Sequence, residues 1–320
     1  MNRKHLLCLL LAAVLLCCGA FGQRAESSAE TPAPPAAAEA SVPEAPGRRT
    51  IRIFETSDIH GYLLDTTGGE ETKFQYRLAY IAQIVNEART DGQYDDVLLV
   101  DGGDLYQGMP VSNLSKGAAM IAALDAMGYD AVALGNHEFD WGVSEYCADA
   151  DATLPAYRIG DFAGDPEIPI LACNLYFADT QERVPFTRDY VIVEKAGLRV
   201  ALIGYIPDYS YTIMQEKIAP YAIHEELSAL SRRVKEINAA EQPDVTIVMA
   251  HAAPVEVAAA LSPEDVDLVT GGHKHDGIYG VAESGVPYIQ GDCYAKGYAN
   301  TLNSLIIPAE LSSHSSISFT

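Results

Sequence analysis

The stretch Ile51-Arg52-Ile53-Phe54-Glu55-Thr56-Ser57-Asp58-Ile59-His60-Gly61 holds a short apolar run followed at once by an Asp-x-His-Gly turn. Residues 51–56 have the length and the β-branched, large apolar character of a buried strand. The residues behind them can bind metal. The same succession recurs along the chain. Residues 96–100 lead to Gly102-Gly103-Asp104, and 131–134 lead to Gly135-Asn136-His137-Glu138-Phe139-Asp140. Residues 245–250 lead to His251, and 267–270 to Gly271-Gly272-His273-Lys274-His275. Ligands of open α/β sheets bind at the carboxyl ends of strands, so these turns are predicted to converge.

Between the runs lie helical spacings. Tyr76, Tyr80, Ile81, Ile84 and Val85 keep one, as do Met120, Leu124 and Met127, and then Leu227, Leu230, Val234 and Ile237. Further strands are predicted at 168–172, 190–194, 200–205 and 286–290. Alternation of this kind predicts an α/β layered domain with helices over buried sheets. Residues 190–205 leave no room for a crossover helix between two strands, which predicts mixed rather than all-parallel sheets.

Each turn alone is a common structural device. Asp-x-His and Gly-Gly-Asp occur in ordinary turns, Asn136 could cap a helix, and a lone histidine after a strand can be a satisfied core residue. Five such turns in succession are different. Carboxylate oxygen and imidazole nitrogen are the ligands of zinc- and manganese-type ions, and five of the chain's eight histidines fall in these turns. The neighbouring glycines let the backbone turn sharply beside the ions.

In order and spacing, DxH, GGD, GNHEFD, the lone His251 and GHxH resemble the calcineurin-like metallophosphoesterases, and in particular their exported 5′-nucleotidase branch. The resemblance covers residues 50–290. It implies a four-layer α/β/β/α sandwich with two mixed sheets, and a pair of divalent ions (Zn, Mn or Co). By the same resemblance Asp58, His60 and His275 would hold one ion, and Asn136, His251 and His273 the other, with Asp104 between them. His137 would be catalytic rather than a ligand, poised by Asp140. Asp101 has no role in that scheme and is read as structural.

The net charge is −23, from 44 acidic and 21 basic side chains. Such a chain repels nucleic acid polymers and anionic membranes, but a small phosphorylated substrate, such as a nucleotide, fits if bound cations reverse the local sign. Residues 1–22 have the pattern of an export signal: Arg3, Lys4 and His5, an apolar run over 6–16, then small residues at 20–22. Leu16 and Cys17 stand where a lipidated Cys17 or Cys18 would be preceded by a small residue, so simple export is favoured over a lipid anchor. Residues 23–49, rich in Ala and Pro, are predicted to be a disordered tether. The catalytic domain is expected over 50–308, with an irregular tail at 309–320. Family nucleotidases carry a C-terminal nucleotide-binding domain, for which no room is expected here. Cys147, Cys173 and Cys293 form no disulfide framework or thiolate site.

The function that follows is an exported phosphoesterase cleaving nucleotide monoesters. Its alternatives are a 2′,3′-cyclic-nucleotide phosphodiesterase of the same fold, and a non-catalytic exported metal-binding module or inactive fragment.

Overall fold

A computed structural model describes residues 48–64, 77–141, 168–301 and 305–308. The expected export signal, the tail at 309–320, Tyr76, Cys147 and all but the last two residues of the tether lie outside them. Arg48 and Arg49, assigned to the tether, belong instead to the first strand.

Along the chain the elements are β1 (Arg48–Thr56), α1 (Arg77–Thr90), β2 (Asp96–Asp101), α2 (Pro110–Ser115), α3 (Ala118–Met127), β3 (Ala131–Ala133), β4 (Ile170–Leu171) and β5 (Leu175–Phe177). After these come β6 (Tyr190–Lys195), β7 (Leu198–Tyr205), α4 (Gln215–Ile218), β8 (Tyr221–Ile223), α5 (Leu227–Glu241), β9 (Val245–Ala250) and α6 (Pro254–Ala259). The last are β10 (Leu268–Thr270), β11 (Ile278–Val281), β12 (Pro287–Gln290), β13 (Ala299–Asn300) and β14 (Leu305–Pro308).

Two six-stranded sheets result. The first runs β13-β1-β2-β3-β4, with β14 also on β1; the second runs β11-β12-β10-β9-β7-β6. Strands β1 to β4 are mutually parallel, and β13 and β14 return antiparallel to β1. In the second sheet β7, β9, β10 and β12 are parallel, while β6 and β11 form antiparallel edges. Both sheets are therefore mixed, and β6–β7 is the tight antiparallel pair expected from the short connection.

Alternate residues of each strand point to opposite faces, and here both faces are covered. Ile51, Ile53, Leu98 and Val100 of the first sheet meet Val200, Leu202, Ile247 and Met249 of the second in an inter-sheet core. Their neighbours Phe54, Val97 and Leu99 face outward onto Leu78, Ile81 and Val85 of α1 and Met120 and Leu124 of α3. On the other side Ile203, Val248 and Val269 face Leu230, Val234 and Ile237 of α5 and Val257 of α6. Helix, sheet, sheet, helix is the layer order, and strands buried on both faces explain the continuous apolar runs.

The structure corrects the expected pattern in places. The buried face of α1 is Leu78, Ile81, Val85 and Ala88, and Tyr80 stands exposed. The short elements β5, β8, β11, β13, β14, α2, α4 and α6 were not anticipated. Two of them, α2 and α6, open on Pro110 and Pro254 at the first helical turn, a placement that suits proline because its missing N–H has no helical partner there.

Candidate metal centre

The turns behind β1, β2, β3, β9 and β10 meet at one end of the two sheets. The first two lie side by side: the N–H groups of Asp58, His60 and Gly61 donate to the carbonyls of Gly103 (2.9 Å), Asp104 (3.0 Å) and Leu105 (2.8 Å). Close approach explains two glycines. A methyl group at Gly102 would lie 2.2 Å from the Gly271 carbonyl oxygen, and one at Gly135 would lie 2.3 Å from Asp104 Oδ1. Five of the metal-competent residues bend through the left-handed region: Asp58 (φ 51°), His60 (49°), Asp104 (60°), His273 (72°) and His275 (55°). Backbone of that kind is costly for residues with a Cβ and gathers at functional sites.

Asp58, His60 and His275 bring one donor atom each into a common cluster, and Asp104, His251 and His273 form a second. Asp104 faces both. Its Oδ1 accepts the His137 N–H at 2.8 Å, leaving Oδ2 at 3.2 Å from His251 Nε2 and 3.9 Å from His60 Nε2. Asn136 Oδ1 stands 3.1 Å from His251 Nε2 and 3.0 Å from His273 Nδ1. His273 and His275 serve different clusters. The backbone N–H of His273 donates to the Asp58 carboxylate (3.0 and 3.1 Å), while His275 Nε2 approaches Asp58 Oδ1 at 3.3 Å.

The chemistry of these donors fits divalent cations. His60 Nδ1 donates to the Gln107 carbonyl at 2.7 Å, and His251 Nδ1 donates to the Gly102 carbonyl at 2.7 Å. Each ring in its neutral form then presents a bare Nε2 lone pair inward. His60 Nε2 meets His275 Nε2 at 3.3 Å, and His251 Nε2 meets the two oxygens named above. Lone pairs aimed at lone pairs in a buried site are unfavourable unless a proton or a cation lies among them.

The charges follow that logic. Burial, the largest influence on Asp104, would raise its pKa, but His251, His137 and His60 outweigh it and hold the carboxyl below the usual range. His251 is desolvated, which favours the neutral ring, yet Asp104 pulls it up to about 10. His273 is pushed down to about 4 by burial and by His251.

His137 shares a third group of close donor atoms with His60 and Asp104, but one of its ring nitrogens is engaged by Asp140. Its Nδ1–H donates to Asp140 Oδ2 at 2.7 Å, and its ring lies 5.1 Å from that of His60. The Asp140 hydrogen bond, aided by the Asp104 charge and opposed by burial, lifts His137 to about 9. Asp101 is buried and accepts from the Thr56 hydroxyl (2.6 Å) and the Gly103 N–H (2.7 Å), which is a structural role.

All nine residues singled out in the sequence therefore meet in this region. Three others were missed. Glu138, buried between the loops, accepts from the N–H groups of Gly135 (2.8 Å), Asp104 (2.9 Å) and Leu105 (2.8 Å), fastening the β2 turn to the β3 turn. Tyr209 stacks on the His273 ring at 3.9 Å and 18°. Tyr294 packs against His60 and His275. Glu138 lies inside the GNHEFD run, and that position was its one sequence signal; the tyrosines had none.

Residues 51–277 match the family profile for calcineurin-like phosphoesterase. The protein UshA of Yersinia enterocolitica is 28% identical over 250 residues, spanning 73% of this chain and 42% of that protein. A 5′-nucleotidase of Vibrio vulnificus is 27% identical over 244 residues, spanning 71% and 40%. This chain thus matches less than half the length of these curated relatives. The solved structure of the calcineurin-like phosphoesterase YfkN from Bacillus subtilis shares the fold, with a TM-score of 0.63 at 20% identity over 85% of this chain and 89% of that one. With the profile running from β1 past His275, the chain belongs to the calcineurin-like phosphoesterase family.

Proposed function

We propose that this chain is a metal-dependent phosphoesterase that hydrolyses phosphate monoesters of nucleotides, and that it works outside the cytoplasm. One observation carries the reading: donor atoms of Asp58, His60, Asp104, Asn136, His251, His273 and His275 converge at the carboxyl ends of five strands, with His60 and His251 tied at Nδ1 to backbone carbonyls so that their Nε2 atoms face inward. Asp58, His60 and His275 would hold one cation; Asn136, His251 and His273 would hold a second; Asp104 would contact both. Divalent ions of the zinc, manganese or cobalt type, held there, would supply Lewis-acid polarisation of phosphoryl oxygens and would give an otherwise acidic chain a cationic cleft.

The protein's own groups do the rest. The hydrogen bond to Asp140 favours the protonated ring of His137. Asp140 fixes the Nδ1–H, so Nε2–H is the free donor, aimed from beside His60 toward the ligand clusters. That proton can bond a phosphoryl oxygen as charge builds, or pass to the departing ester oxygen. Glu138 holds the Asp104 and Asn136 turns in register, which keeps His137 at a fixed place relative to both clusters. The nucleotide preference rests on the names of the UshA and 5′-nucleotidase relatives. Export rests on the pattern of residues 1–22.

A panel of AMP, 2′,3′-cyclic AMP and p-nitrophenyl phosphate, run on the full chain with Zn²⁺, Mn²⁺ and Co²⁺ after chelation, tests the reading. Fastest turnover of AMP supports it. Preference for the cyclic diester moves the substrate assignment, and no hydrolysis of any of the three overturns the activity.

A further inference from the structure

The segment behind β12 adds a sixth turn to the site. Gly291 donates its N–H to the buried Glu55 carboxylate of β1 at 2.5 Å, which ties the end of the second sheet to the first. Cys293 and Ala295 then turn inward, 3% and 4% exposed, and Lys296 N–H closes back on the Cys293 carbonyl at 3.1 Å. Between those two anchors Tyr294 points at the metal-competent residues. Its N–H donates to the Asp58 carbonyl at 2.8 Å, and its ring lies 5.0 Å from that of His275 and 5.5 Å from that of His60. Tyr62 at 4.8 Å and Lys296 Nζ at 5.0 Å also pack on the ring. Tyr294 (φ 59°) and Ala295 (φ 49°) are consecutive left-handed residues with side chains, so the turn is maintained by its anchors against local preference.

The contacts are one-sided. Tyr294 touches His60, His275 and Asp58, the three residues of one cluster, and its partly buried ring packs against protein groups from two further residues, Tyr62 and Lys296. We propose that Tyr294 is a positioning residue for the Asp58/His60/His275 cluster, holding both imidazoles in the orientation that binds one of the two cations. Tyr209, stacked on His273, does the corresponding work for the other cluster. The proposal rests on the two-cation reading above, and its test separates the two.

The full chain, stripped by chelation, is titrated with Co²⁺ and followed by calorimetry and absorption. Wild type takes up two equivalents; uptake of none removes the two-cation reading itself. Given two, Tyr294→Phe binds as wild type. Tyr294→Ala keeps one equivalent at wild-type affinity and weakens the other by about 10- to 100-fold, as loss of a group that orients metal ligands does. In a His275→Ala background Tyr294→Ala adds no further loss, because both act on one ion. Tyr209→Ala weakens the opposite equivalent. Near-ultraviolet circular dichroism checks that the variants fold, and Tyr294→Leu, of similar bulk, replaces the alanine variant if that one does not. Undiminished binding of both ions by Tyr294→Ala or Tyr294→Leu, or equal weakening of both, overturns the assignment.

Discussion

The two clusters that meet at Asp104 differ in how they are enclosed. His251 and Asn136 are 0% and 2% exposed, and Tyr209 closes over His273. Across the site, the His275 side chain is 35% exposed and is steadied by a strained turn at Tyr294. Burial on the first side comes from strand ends, β3 and β9, whose backbone is locked into the sheets. The GHxH turn serves both sides, through His273 and His275, and residues after β12 pack on the second only. A centre with one more enclosed and one more open half should hold its two cations unequally, and exchange at the open half first. The open half is also where His137, 5.1 Å from His60, can reach a ligand.

The largest expected effect belongs to the residue the halves share. Asp104→Ala should empty both sites and reduce phosphatase activity to background, read by metal analysis and p-nitrophenyl phosphate turnover. Next come the single-half variants. His251→Ala leaves Asn136 and Asp104 oxygens facing each other in a buried place, and should cost both cation affinity and thermal stability, by about 1–3 kcal/mol for the unpaired polar groups. His275→Ala should lose one cation with little change in melting temperature. Equal destabilisation by the two would remove the distinction between the halves.

His137→Ala should retain both ions while turnover falls by about 10²- to 10⁴-fold, the usual contribution of a positioned proton donor. Loss of metal in that variant would make His137 a ligand.

The smallest effect lies outside both halves. Asp267, immediately before β10, accepts from the Thr246 N–H at 2.8 Å, and burial pushes its carboxyl up to about 6. The raised value means that folding favours the neutral acid. Stability from this group is fully present below the unfolded carboxyl pKa and is lost as pH rises through 6. Asp267→Asn should therefore flatten the stability profile between pH 4 and 7, a change on the order of 1 kcal/mol by denaturant titration, and leave metal content untouched.

Much of this arrangement was legible in the chain. Strands buried on both faces make continuous apolar runs, so β1, β2, β7 and β9 could be read directly, and the ligand-type residues stand immediately after them. What escaped reading has a common cause. Strands β13 and β14 are two and four residues long and exist because β1 offers them an edge. Tyr80 fits a helical spacing but faces solvent, since α1 turns Leu78 and Ile81 to the sheet instead. Glu138 looks like one more acid beside a histidine until three N–H groups from two turns are seen to share it. Tyr209 and Tyr294 act through rings 64 and 19 residues away in sequence, at His273 and His275, and spacing carries no trace of such contacts.

Anomalous diffraction from crystals of the full chain soaked in Zn²⁺ or Mn²⁺, collected at the metal edge, addresses the central claim most directly. Two peaks are expected, one among Asp58, His60 and His275 and one among Asn136, His251 and His273, each adjoining Asp104. A single peak, or peaks away from Asp104, would contradict it.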